Sequence, residues 1–141
     1  MKETIFVDTG AFFAIKVMSD ANHKYALDFF NFILENNAAQ FVTSDYVLFE
    51  TVTLMKVRTD NKTAIETGKN LRNNEHITVI TMTENLITNA WDIFDTYSDK
   101  DFSFVDCSSF AIMKEMNIQK AFTFDRHFGQ FGFRIFPWRE E

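Results

Sequence analysis

The sequence predicts an α/β protein, a three-layer α/β/α sandwich around a mostly parallel sheet of about five strands. Two observations carry this expectation. Five short apolar runs occur at Thr4 to Val7, Gln40 to Thr43, Ile77 to Ile80, Ala121 to Phe124 and Arg134 to Phe136, the first three rich in β-branched residues and the last two in Phe. Segments of helical period lie between them. Such alternation builds parallel neighbours, because parallel strands need crossovers and helices supply them while covering the sheet.

Taken in order, the first run ends directly on Asp8, in Phe6-Val7-Asp8-Thr9-Gly10. A helix follows in which Ala26, Phe30, Ile33 and Leu34 share one face. The second run leads into a helix beginning near Ser44, with Glu50 on a stripe between the apolar Val47 and Leu54. After the third run, Thr83 caps a helix whose Leu86, Ala90, Ile93, Phe94 and Tyr97 repeat with helical spacing. Ser103-x-x-Asp106 before an apolar stretch is a capping-box pattern at the next helix start. The fourth run feeds Asp125, in Phe122-Thr123-Phe124-Asp125-Arg126. Most crossovers thus contain two helices. A simple up-and-down count would turn some strands antiparallel unless one helix of each pair lies across the sheet.

At 141 residues with only 4 Gly and 1 Pro, and with no repeat or linker-like stretch, the chain reads as one domain, 1–141. The single Cys107 excludes an internal disulfide and any cysteine-based zinc cluster, and its apolar surroundings predict a buried thiol in a reducing compartment. The N-terminal apolar run is too short for a signal peptide and no later stretch approaches a membrane span, so a cytoplasmic protein is expected. The 18 Phe exceed what one small core needs, and part of that surplus is expected at a subunit interface. A net charge of −6 argues against nucleic-acid binding through a broadly basic surface. It remains compatible with a nucleic-acid enzyme whose carboxylates collect divalent cations.

Four acids supply such a group. Asp8 and Asp125 follow strands, at the carboxyl edge where open α/β sheets place their ligands. Glu50 leaves the second strand on a helix stripe where an unpaired charge is costly to bury. Asp106 reaches the same edge if its helix runs antiparallel to the fourth strand. At an effective dielectric of about 20, two carboxylates about 4 Å apart repel by roughly 4 kcal/mol, so the cluster needs protons or metal. An all-oxygen donor set selects Mg2+ or Mn2+ over Zn2+, and His23, His76 and His127 show no zinc-ligand spacing. Such ions keep waters, one of which is the natural nucleophile, and take further ligands from substrate phosphate; one ion or two both fit.

Each acid also has a plainer structural role open to it. Asp8 and Asp125 suit helix N-caps, Asp106 suits the capping box and Glu50 suits a solvated helix face. Their joint occurrence favours a site. Asp99 and Asp101 read as solvated loop, with a supporting role for Asp101 held open. Thr9 and Ser44 suit caps or contacts to carboxylate or phosphate, and Arg126, Lys16 and Arg58 are candidate RNA contacts or ordinary surface charge.

Phe6-Val7-Asp8-Thr9-Gly10-Ala11-Phe12 and Thr43-Ser44-Asp45-Tyr46-Val47-Leu48-Phe49-Glu50-Thr51 closely resemble the first two motifs of PIN domains. Asp101-Phe102-Ser103-Phe104-Val105-Asp106-Cys107 and Thr123-Phe124-Asp125-Arg126-His127-Phe128 resemble the later ones, especially those of VapC-type toxins. The resemblance runs from residue 4 to residue 135. It implies that Asp8 and Asp106 are core metal ligands, that Asp125 completes the site, and that Glu50 adds a carboxylate or holds a water. It further implies a Mg2+- or Mn2+-dependent endoribonuclease, frequent homodimers, and for VapC-type members a small antitoxin partner. A stand-alone RNA-processing PIN nuclease and a non-catalytic binding domain are the competing expectations, and the intact acids weigh against the latter. A phosphorylated receiver domain ranks low, because no acid pair follows the first strand and no matching Lys lies near the end.

Overall fold

The computed structural model describes residues 2–137. The elements run β1 (Glu3–Val7), α1 (Thr9–Lys16), α2 (His23–Asn36), β2 (Ala39–Ser44), α3 (Asp45–Arg58), α4 (Asn61–Asn73), β3 (Ile77–Ile80), α5 (Glu84–Thr96), α6 (Phe104–Glu115), β4 (Lys120–Phe122), α7 (Arg126–Phe131) and β5 (Arg134–Phe136). All four strand pairings are parallel, in the order β3-β2-β1-β4-β5, and seven helices flank the sheet. The three longer crossovers each contain two helices, and the two pack against each other as α1 on α2, α3 on α4 and α5 on α6. Two-helix crossovers here join strands that all run parallel, so no strand is turned antiparallel.

β1 lies at the centre with both faces covered: Ile5, Phe6 and Val7, which alternate between the two faces, are all buried. Phe41 of β2 and Phe122 of β4 flank it and are buried as fully, and Phe29 of α2 sets its ring edge against Phe122 at 4.9 Å. A second aromatic layer links α6, α7 and the segment before β5. Phe110 contacts Phe128 edge-on at 5.0 Å and stacks on Phe131 at 4.5 Å. Cys107 is free and buried in the same helix, and burial pushes its thiol up to about 11, so it stays protonated. The aromatic surplus is visible at the surface, where Phe49, Trp91, Phe32 and Phe94 stay exposed. Among the described residues, no helix is long and apolar enough to cross a membrane.

The strand order fixes where a ligand can sit. Chain connections leave β1 toward β2 and β3 on one side and return to β4 and β5 on the other, so the order reverses between β1 and β4. In open parallel sheets the loops at such a point diverge and leave a crevice beyond the strand carboxyl ends. The two strand ends are tied there by the Asp8 amide, which donates to the Phe122 carbonyl at 3.1 Å.

Candidate active site

The crevice is a cavity of about 670 Å3 lined by residues from every segment that the sequence singled out, including Asp8, Thr9, Glu50, Asp101, Asp106 and Asp125. Asp8 follows β1 directly and occupies the N-cap position of α1, yet its side chain makes no capping bond and turns to Thr123, whose hydroxyl donates to Oδ2 at 3.0 Å. Asp106 sits in the first turn of α6 within a complete capping box. Its amide donates to Ser103 Oγ at 3.0 Å, and its own Oδ2 accepts from the Ser103 amide at 3.0 Å. Asp125 is the N-cap of α7 and accepts from the His127 amide at 2.9 Å. For Asp106 and Asp125 the cap bonds hold carboxylates that also line the cavity.

Two expectations need correction. β4 ends at Phe122 rather than Phe124, because Thr123 and Phe124 leave the ladder to bring Asp125 round as a helix cap. Glu50 does not lie on the inward stripe of α3. That stripe is Val47, Leu48, Thr51 and Met55, and Glu50 falls beside it, exposed on the cavity rim. Asp101 also lines the cavity, as does Arg126, whereas Ser44 is buried as the plain cap of α3 and accepts from the Val47 amide at 3.1 Å. Asp99, Lys16 and Arg58 are not part of the lining. Thr9 is buried at its edge, sharing its hydroxyl with the Thr51 hydroxyl at 3.3 Å.

The electrostatics are those of an anionic group held too close together. Burial raises Asp8 from an ordinary 3.8 to about 7; the Thr9 backbone and Thr123 hydroxyl pull it down, and the charges of Asp106 and Asp125 push it further up. Asp106 is raised by burial and by Asp125, against the lowering effect of Ser103 and His127. Glu50, partly desolvated where it faces the cavity, is raised by that loss of water and by the charges of Asp106 and Asp125. Among the described residues, Arg126 and His127 are the only basic ones in the lining. A pocket that pushes several carboxylates toward protonation is one that a divalent cation relieves, and oxygen donors of this kind suit a hard cation.

Two residues to which sequence reasoning assigns no role contact the acids. Thr123 bridges two of the acids, donating to Asp8 and accepting from the Asp125 amide at 3.0 Å. His127 places Nδ1 2.9 Å from Asp106 Oδ2 and 3.2 Å from Asp125 Oδ1, and ligand atoms of these three residues all fall within 4.8 Å of one another. The available signal was Thr-x-Asp-x-His across a strand end and a helix start. Ser103→Ala removes the hydroxyl half of the capping box and is expected to lower stability by about 1 kcal/mol in urea titrations.

Residues 5–134 match the PIN domain family. The chain is 33% identical over 129 residues to the 23S rRNA-specific endonuclease VapC20 of Mycobacterium tuberculosis, covering 92% of this chain and 95% of that protein. The crystal structure of that protein, described as a sarcin-ricin loop cleaving toxin, superposes with a TM-score of 0.82 at 32% identity, over 92% of this chain and 95% of the other. FitAcB from Neisseria gonorrhoeae shares the fold at a TM-score of 0.63 and 14% identity, over 94% and 96% of the two chains. A toxin-antitoxin complex from Klebsiella pneumoniae does so at 0.57 and 13%, over 86% and 87%. PIN nucleases are metal-dependent, and the acidic cavity is the feature here that a metal ion fits. The chain belongs to the PIN-domain family and is a homologue of the VapC-type toxin ribonucleases.

Proposed function

We propose that the chain, acting as one nuclease domain, hydrolyses RNA phosphodiester bonds with Mg2+ or Mn2+ and is the toxin of a type II toxin-antitoxin pair. The observation that carries this reading is the convergence of Asp8, Glu50, Asp106 and Asp125 on one cavity at the sheet's switch point. Asp8, Asp106 and Asp125 are the proposed metal ligands. When bound, a divalent ion supplies an activated water and neutralises charge on the scissile phosphate.

The chain's own residues do the rest. Asp8 is held by Thr123 and Asp106 by its capping box, so neither carboxylate reorganises as substrate arrives. Glu50, at the open rim with a raised proton affinity, is placed to accept a proton from water entering the site. Arg126, exposed at the cavity wall, offers a guanidinium to a backbone phosphate and offsets the acidity of the lining. The relative named for 23S rRNA makes the sarcin-ricin loop the first substrate to test. An antitoxin that blocks the acidic cavity and pairing of two copies through part of the exposed aromatic surface belong to the same reading.

Purified protein added to ribosomes and to total RNA with Mn2+ is expected to give discrete cuts by primer extension, all abolished by EDTA. Cuts that persist in EDTA would contradict the metal-dependent reading.

A further inference from the structure

His127 holds a position that nothing in the acid set accounts for. It stands in the first turn of α7, two residues after Asp125, and its ring reaches back across the cavity floor to Asp106, 21 residues earlier in the chain. The ring is mostly enclosed, with its side chain 19% exposed, and Phe102 packs edge-on against it at 5.5 Å. A carboxylate that ligates a cation is ionised and only accepts hydrogen bonds, so in that state the nitrogen that faces Asp106 Oδ2 at 2.9 Å is the donor. A nitrogen that donates its N–H has no lone pair left for a cation. Nδ1 is therefore committed to Asp106, and Asp125 Oδ1 lies 3.2 Å from it.

We infer that His127 is a positioning residue: its Nδ1–H, together with the Ser103 amide, occupies Oδ2 of Asp106 and so fixes which oxygen that carboxylate presents to a metal ion. Oδ2 of Asp106 receives both donors, at 3.0 Å from Ser103 and 2.9 Å from His127. Oδ1 is the oxygen left for a cation. The same segment carries the restraint on to the other acids. The His127 amide holds Asp125 Oδ1, the Asp125 amide holds Thr123 Oγ1, and Thr123 Oγ1 holds Asp8 Oδ2. Thr123 to His127 thus works as one clamp on three carboxylates, with His127 as its only link to Asp106. Partners that orient metal-binding carboxylates typically change metal affinity by about 10- to 100-fold when removed.

The inference rests on the metal-site reading above, and Mn2+ binding followed by electron paramagnetic resonance tests the two separately. Asn places an amide nitrogen close to where Nδ1 stands, whereas Gln carries its amide farther out, near Nε2. His127→Asn is expected to bind Mn2+ within about threefold of wild type, and His127→Gln about tenfold or more weakly. Equal binding by wild type and His127→Gln, or equally weak binding by the Asn and Gln variants, overturns the positioning role alone. A wild-type protein that takes up no Mn2+, matching an Asp8→Asn control, overturns the functional reading itself. Pulsed measurements on the wild-type Mn2+ complex give a second readout that needs no variant to fold. No coupling to a directly bound nitrogen is expected, and a strong one would make His127 a ligand and overturn the inference.

Discussion

Asp8→Asn is expected to lower RNA cleavage at saturating Mn2+ by about a thousandfold or more. Loss of a ligand that holds the charge-stabilising ion removes several kcal/mol from the transition state, and each 1.4 kcal/mol or so is a factor of ten. The substitution conserves volume, and the Asn carbonyl still accepts from the Thr123 hydroxyl that Asp8 uses at 3.0 Å. A fold defect is therefore not the expected cause, and circular dichroism and thermal melts of the variant check this. Single-turnover cleavage of an RNA that the wild type cuts is the measurement. A variant retaining a tenth of the activity would remove Asp8 from the proposed ligand set.

The second large effect concerns stability rather than rate. Asp8 is buried with a pKa raised from 3.8 to about 7, so between those values the folded protein binds a proton that the unfolded chain releases. Stability from this group is fully present below about pH 4 and is lost as pH rises through 7. Three pH units correspond to on the order of 4 kcal/mol, and the raised Asp106 and Glu50 act in the same direction. In EDTA the protein is thus expected to be less stable at pH 8 than at pH 5. Millimolar Mn2+ reverses this, stabilising strongly at pH 8 and weakly at pH 5, where protons compete for the same oxygens. Asp8→Asn flattens the pH dependence in EDTA and loses most of the stabilisation by Mn2+. Denaturant titrations at both pH values check each part, and an equal Mn2+ effect at pH 5 and pH 8 would contradict this assignment of the charge.

Much of this was legible because backbone and burial leave local marks. Strands buried on both faces read as short apolar runs, and β1, β2, β3 and β5 fall within a residue of where those runs lie. Caps are equally local: Thr83, Ser44 and Ser103 start helices as their spacing implies. What failed is what depends on tertiary contact. The stripe containing Glu50 looked inward because Val47 and Leu54 are apolar, yet Leu54 is only half-buried and the true inward face is set by what α3 packs against. The parallel direction of every strand is a property of the assembled sheet: three crossovers hold two helices and the last holds α7 alone, and no single helix encodes the outcome. His127 carries no such mark, because its partner Asp106 lies on another helix and the hydrogen bond joining them has no sequence spacing.

The most direct test of the account is a crystal grown or soaked with Mn2+ and measured at a wavelength where manganese scatters anomalously. The account predicts an anomalous peak within bonding distance of carboxylate oxygens from Asp8, Asp106 and Asp125. A peak elsewhere, or none in crystals whose dissolved protein still cuts RNA with Mn2+, would contradict it.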